Sequence, residues 1–168
     1  MNFHAPIDQD RASAVTLSPT LPAGRPTSKT GRIGVLLSNL GTPDATDTRS
    51  IRRYLAEFLS DARVIELPKW KWYPILYGIV LNTRPQKTGA NYKTIWNTEN
   101  DESPMRTICN AQTAALARAF ADEPRVAIEL GMRYGNPSIE SALDKLVAQG
   151  CDRILTFPLY PQYSATTT

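Results

Sequence analysis

The sequence is poor in histidine. It has one, His4, close to the start. General acid–base centres and zinc sites draw heavily on imidazole, and residues 5–168 have none to offer. Cysteine is almost as scarce: Cys109 and Cys151 form neither a CxxC pair nor a dense framework, which reads as two free thiols in a reducing compartment. They supply no metal-ligand set. No apolar run reaches the roughly 18 residues that a membrane-spanning helix needs. The N-terminus carries acids and a proline where a signal peptide needs an apolar core. Neither GxGxxG nor GxxxxGK[ST] occurs, so the common nucleotide-binding readings fail. There is no block of like charge. Nineteen basic residues against sixteen acidic ones leave a net +3. Nothing there argues for a nucleic-acid tail, and the balance suits an anionic small molecule or an anionic lipid surface equally well.

What is present is one domain's worth of core: 168 residues, 42% apolar. Residues 1–30 hold Pro6, Pro19, Pro22 and Pro26 among serines and threonines, with no periodic pattern. They are expected to form a disordered leader, with His4 inside it and without a partner. The domain is expected over residues 31–168. Arg32–Leu40 has the continuous apolar core of a buried parallel strand. Ile51, Tyr54, Leu55, Phe58 and Leu59 then mark one face of a helix. Arg63–Leu67 is a candidate second strand, stopped by Pro68. The Trp70–Leu81 band is dense in aromatic and aliphatic groups and has no clean stripe. It fits core packing, or a lip around a flat apolar ligand or on a membrane. Asn91–Trp96 is expected to continue as helix.

Ser103 and Pro104 mark a helix start, with Met105, Ile108, Cys109, Leu116, Ala119 and Phe120 as its apolar face. Arg125–Gly135 predicts a third strand. Asn136 and Pro137 are expected to cap and begin the next helix, whose inner face is Ile139, Ala142, Leu143, Leu146 and Val147. Gly150 ends it, and Cys151 onward is a fourth strand. This order predicts an α/β fold with a mostly parallel, four-stranded sheet flanked by helices. Ligands of such sheets lie outside the carboxyl ends of the strands. Those ends are NLGTP, ELPKW, GMRYGNP and PLYPQYS. Arg133 offers a forked donor for carboxylate or phosphate there. The paired carboxylates Asp44 and Asp47 read as ordinary caps.

Together, LLSNLGTPD, IRRYLAEFLSDARVIELP, LNTRPQKTGANYKTIW, ESPM, GMRYGNPSIESAL and FPLYPQYSATTT resemble the first half of ferrochelatase, of the Gram-negative bacterial kind. The resemblance spans about residues 32–168. It implies a chelatase-like fold, the first of two similar domains, and insertion of ferrous iron into protoporphyrin IX as the activity, with iron and the porphyrin as substrates. It implies porphyrin contacts at Leu40, Arg84, Tyr92, Ser103, Arg133, Tyr134, Tyr160, Tyr163 and Ser164. It also implies a hydrophobic lip at Trp70, Trp72, Tyr73, Ile75, Leu76, Ile79 and Val80.

The resemblance places the family's catalytic histidine and glutamate beyond Thr168, in the second domain. This chain is therefore expected to be a truncated, inactive half with no catalytic residue and no metal ligand of its own. The second domain of the same polypeptide is its implied partner, and no nucleic acid is. Some family members carry a [2Fe–2S] cluster on C-terminal cysteines; Cys109 and Cys151 lack the grouping, so no cofactor is assigned to this chain. The implied location is cytoplasmic, with peripheral contact to the inner membrane. A coproporphyrin or other tetrapyrrole chelatase, and a non-catalytic interaction module, remain open as alternatives.

Overall fold

The computed structural model describes residues 31–160. The expected leader with His4, the rim residues Tyr163 and Ser164, and Thr168, beyond which the catalytic pair is expected, lie outside the described residues. Three parallel strands form the sheet, in the order β2-β1-β3: β1 (Arg32–Thr42), β2 (Val126–Gly135) and β3 (Cys151–Pro158). Between β1 and β2 run α1 (Thr48–Ser60), α2 (Lys69–Ile75), a π-helical turn (Leu76–Val80), α3 (Leu81–Lys93) and α4 (Pro104–Ala119). Between β2 and β3 lies α5 (Ile139–Ala148).

Neighbouring residues of β1 point to opposite faces, as strand geometry requires. Leu36 packs with Ala127 and with Ala142 and Leu146 of α5. Leu37 packs on the other face with Leu130, Met132 and Cys109 of α4. The central strand is thus covered twice, which its continuous apolar run anticipated. Asp47 caps α1 through the Arg49 and Ser50 amides, and Ser103 caps α4 through the Arg106 amide, with Pro104 following. Gly150 takes φ +79 just past α5, a left-handed stop.

Several expectations are corrected. The sheet has three strands among the described residues, not four. Arg63–Leu67 forms no strand. The Asp61 carbonyl accepts from the Val64 and Ile65 amides, and its carboxylate accepts from the Arg63 amide. The segment turns, as an aspartate directs, and Val64 and Ile65 bury against α1 instead of pairing in the sheet.

Ser138, not Asn136, caps α5, through the Ser141 amide. Asn136 instead turns its amide to Asp44. Helix α3 stops at Lys93 rather than running on to Trp96. Ile108 on α4 and Val147 on α5 are exposed, lying off the stripes that touch the sheet. β3 is not buried like β1: Leu155 and Phe157 are 55% and 54% exposed. It lies at the sheet edge, and α4 does not extend over it.

The carboxyl ends of β1 and β2 come unusually close. Gly41 pairs with Tyr134 and Thr42 with Gly135. A Cβ on Gly41 would overlap the Tyr134 carbonyl oxygen, and Gly41 holds φ +113. Backbone gives way poorly, and an L side chain is strained at this φ. Gly41→Ala is expected to cost more than about 2 kcal/mol of unfolding free energy, read as a lower urea midpoint. An unchanged midpoint would contradict this packing.

Candidate functional site

The strand ends gather the polar groups. Beyond Thr42 the chain enters the loop carrying Asp44. Its carboxylate accepts from Arg53 of α1 at 2.8 Å, from Arg106 of α4 at 2.9 Å and from Asn136 after β2 at 2.9 Å. Burial alone would push the pKa of Asp44 up. The Arg106 and Asn136 hydrogen bonds, with the Arg106 and Arg53 charges, outweigh it and hold the carboxyl below its ordinary value. One side chain therefore joins the β1 loop to two helices and the β2 loop.

Asp61, at the end of α1, does the same on the neighbouring side. One oxygen accepts from the Arg63 amide at 2.8 Å. The other accepts from the Arg133 guanidinium at 2.7 Å and from the Tyr134 hydroxyl at 3.0 Å. The Arg63 amide foremost, with Tyr134 and Arg133, keeps its carboxyl below the usual range. Arg133 and Tyr134 line an open cavity of about 510 Å³ together with Asp61, Lys69, Tyr73 and Tyr77. The Tyr134 ring is buried and meets Phe58 edge-on, with centroids 5.1 Å apart.

The remaining candidates distribute as follows. Leu40 is half-buried near the carboxyl end of β1, its amide donating to the Asn39 side chain. Tyr92 is half-buried on α3; burial raises its phenol, offset in part by the Thr42 and Tyr54 hydroxyls. Tyr54 is buried beneath it and donates to the Gly41 carbonyl. Burial raises the Tyr54 phenol strongly. Leu40, Tyr54 and Tyr92 thus cluster around one strand end. Arg84 projects from α3, exposed. Ser103 is buried, its hydroxyl engaged as the α4 cap. Tyr160 is half-buried just past β3.

The aromatic band divides. Leu76 and Leu81 are fully buried against Leu59, and Trp72 donates its indole N–H to the Leu59 carbonyl at 2.7 Å. Leu76 therefore belongs to the α1 interface rather than to an exposed lip. Trp70, Ile75, Tyr77 and Ile79 point outward, Trp70 at 74% exposure. Lys71 lies 5.0 Å from the Trp70 ring centroid. The π turn explains why no stripe was legible: it interrupts the helical period between α2 and α3.

Among the described residues no three His, Cys, Asp or Glu side chains gather as a metal site. Cys109 of α4 faces the sheet, where its sulfur accepts from the Asn39 side-chain amide, and Cys151 of β3 packs on the α5 face. They lie on opposite faces of the sheet. No helix among the described residues is long and apolar enough to cross a membrane.

Asp44 and Asp61 are not among the site residues that the sequence suggests. Asp61 is the C-cap of α1, where a basic side chain is the more usual partner of a helix end. Asp44 sits one residue beyond a strand-end proline. Those two placements were the available signals.

The Asp61 contacts make a pH-dependent prediction. A carboxyl lowered in the folded state stabilises the fold above its unfolded value. That contribution disappears as pH falls through the folded value. Asp61→Asn is expected to lower stability by about 2 kcal/mol at pH 7, the scale of hydrogen bonds to charged groups. The gap should narrow as urea titrations move from pH 5 towards pH 3. A gap independent of pH would contradict an ionised Asp61 clamp.

A family model described as Ferrochelatase matches residues 32–168. The ferrochelatase of Mesorhizobium japonicum is 63% identical over 146 residues, covering 87% of this chain and 41% of its own length. That of Brucella canis is 63% identical over 141 residues, covering 84% and 40%. The chain spans about 40% of the length of these curated relatives. With the match running from the first strand through Thr168, the chain belongs to the ferrochelatase family.

Proposed function

We propose that the chain supplies one wall of a porphyrin cleft in an enzyme that inserts ferrous iron into protoporphyrin IX, a metal-inserting lyase reaction of haem formation. The observation that carries this reading is the clustering of Leu40, Tyr54 and Tyr92 at the carboxyl end of β1, with Arg133 and Tyr134 at the end of β2. A porphyrin is a broad apolar disc with carboxylates along one edge. It needs flat apolar walls and a few fixed cations.

In this reading Leu40 and Tyr92 lie against the disc. Arg84, exposed on α3, pairs with a propionate, and Tyr160, Tyr163 and Ser164 continue the polar rim. Arg133 and Tyr134 are already bound to Asp61, so they hold the rim in shape more than they offer free charge. Ser103 contributes through the position of α4. Trp70, Ile75, Tyr77 and Ile79, beside Lys69 and Lys71, form the outward lip and the contact with an anionic membrane surface. Metalation requires the pyrrole N–H protons to leave. None of the cleft residues named here is a histidine, so that step belongs to the second domain of the longer polypeptide, beyond Thr168, and the chain by itself is inactive.

The test is made in the uninterrupted polypeptide. Arg84→Ala is expected to raise KM for protoporphyrin about tenfold, the equivalent of one charge-assisted hydrogen bond, with kcat little changed. Arg84→Lys should recover part of the loss. An unchanged KM would remove Arg84 from the propionate contact.

A further inference from the structure

The helical run from Lys69 to Lys93 changes period once, at the π turn of Leu76–Val80. Leu76 and Leu81 are both fully buried beside Leu59 of α1. They are five residues apart, and in a regular α-helix five steps would leave them about 140° apart. The π turn brings both onto α1: the Leu81 amide donates to the Leu76 carbonyl, five residues back. Gly78 lies inside the turn, with open space where a Cβ would stand.

In an α-helix the Leu81 amide would serve the Tyr77 carbonyl. Here the Asn82 side chain supplies a donor to that carbonyl. Its Nδ2 donates to the Tyr77 carbonyl at 3.0 Å and to the Gly78 carbonyl at 2.9 Å. Its Oδ1 accepts from Arg52 Nη1 of α1 at 2.8 Å. Carbonyls only accept and a guanidinium only donates, so both ends of the amide are fixed. The helices on either side of the turn answer to different neighbours. Helix α3 buries Leu81, Pro85 and Gly89, and a Cβ on Gly89 would overlap the Thr46 carbonyl oxygen. It is therefore seated on the loop between β1 and α1 with no room to roll. Lys69, Tyr73 and Tyr77 fall at i, i+4 and i+8 and line the 510 Å³ cavity with Arg133 and Tyr134. With α3 fixed, a return of the turn to α-helical period would swing that ridge by about one residue's rotation, roughly 100°.

We propose that Asn82, held by Arg52, is a positioning residue of the cleft. It pins the π turn, and the turn keeps the Tyr73–Tyr77 ridge on the cleft wall while Arg84 stays on its rim. The proposal rests on the porphyrin-wall reading above and deepens it, since neither Asn82 nor Arg52 lines the cavity.

The test compares Asn82→Ala, Asn82→Asp and Arg52→Ala in the uninterrupted polypeptide. Both side chains are exposed, so their loss leaves the core intact. The aspartate still accepts from Arg52 but has no N–H for the carbonyls, which separates the donor role from size. Each Asn82 variant is expected to raise KM for protoporphyrin about fivefold with kcat little changed, the equivalent of one hydrogen bond of ordinary strength. Amide hydrogen exchange over residues 76–81, read by mass spectrometry, should quicken about as much. Arg52→Ala should do the same more weakly and add nothing to Asn82→Ala, as residues acting through one contact do. Deleting Gly78 leaves Leu76 and Leu81 four apart, where an α-helix suffices. In that background Asn82→Ala should move neither KM nor exchange, whereas a general stabilising role would persist there and overturn the proposal. Should the deletion not fold, the Arg52 and Asn82 substitutions still decide. Unchanged exchange in both Asn82 variants would overturn the proposal. So would faster exchange with an unchanged KM where Arg84→Ala raises it. If Arg84→Ala also leaves KM unchanged, the porphyrin reading falls, and exchange alone decides whether Asn82 pins the turn.

Discussion

The close splice of β1 to β2 at their carboxyl ends is the constraint on which the site depends. Gly41 lies so near the Tyr134 carbonyl that no side chain fits between them, and Gly135 meets the Thr42 carbonyl in the same way. Two strands run in register to their last residues and release two loops side by side. The loops then diverge under the control of two carboxylates. Asp44 binds three donors from three elements, and Asp61 binds the Arg133–Tyr134 pair. Half-buried carboxylates with charged donors hold geometry well, since losing one partner leaves charge poorly solvated. The rim is therefore stiff where aromatic walls meet the strand ends.

The sheet beneath that rim was readable where one residue type leads to one outcome. The unbroken apolar run of β1 suits a doubly covered strand better than an edge strand. Ser103–Pro104 favours a helix start, and Gly150 favours a helix end. The misreadings came from segments whose local and long-range options compete. Arg63–Leu67 has strand-like composition, yet Asp61 two residues earlier captures its amides and turns it. Asn136 and Ser138 are both good caps; the nearby Asp44 decides which is free to act. The Trp70–Leu81 band defied helical sorting because a π turn resets its phase, leaving Trp72 and Leu76 inward and Trp70 and Ile79 outward. The roles of Asp44 and Asp61 were illegible because their partners lie far off in the chain, up to 92 residues away for Asn136.

Family membership and geometry rest on different premises. The match shows which proteins the chain is like. The structure gathers hydroxyls, aromatic rings and guanidinium groups at the strand ends, with an apolar groove on the far flank. A wall can orient and desolvate a disc, but moving two protons off its nitrogens needs a base on the ring's face. The proposed account divides these tasks between this domain and the polypeptide that follows it in longer relatives.

Haem formation from protoporphyrin and ferrous iron measures that division most directly. The 168-residue chain and the uninterrupted polypeptide are compared under anaerobic conditions against a no-protein control. The account predicts no haem above the control from the shorter chain and sustained turnover from the longer one. Sustained haem formation by the shorter chain alone would contradict it.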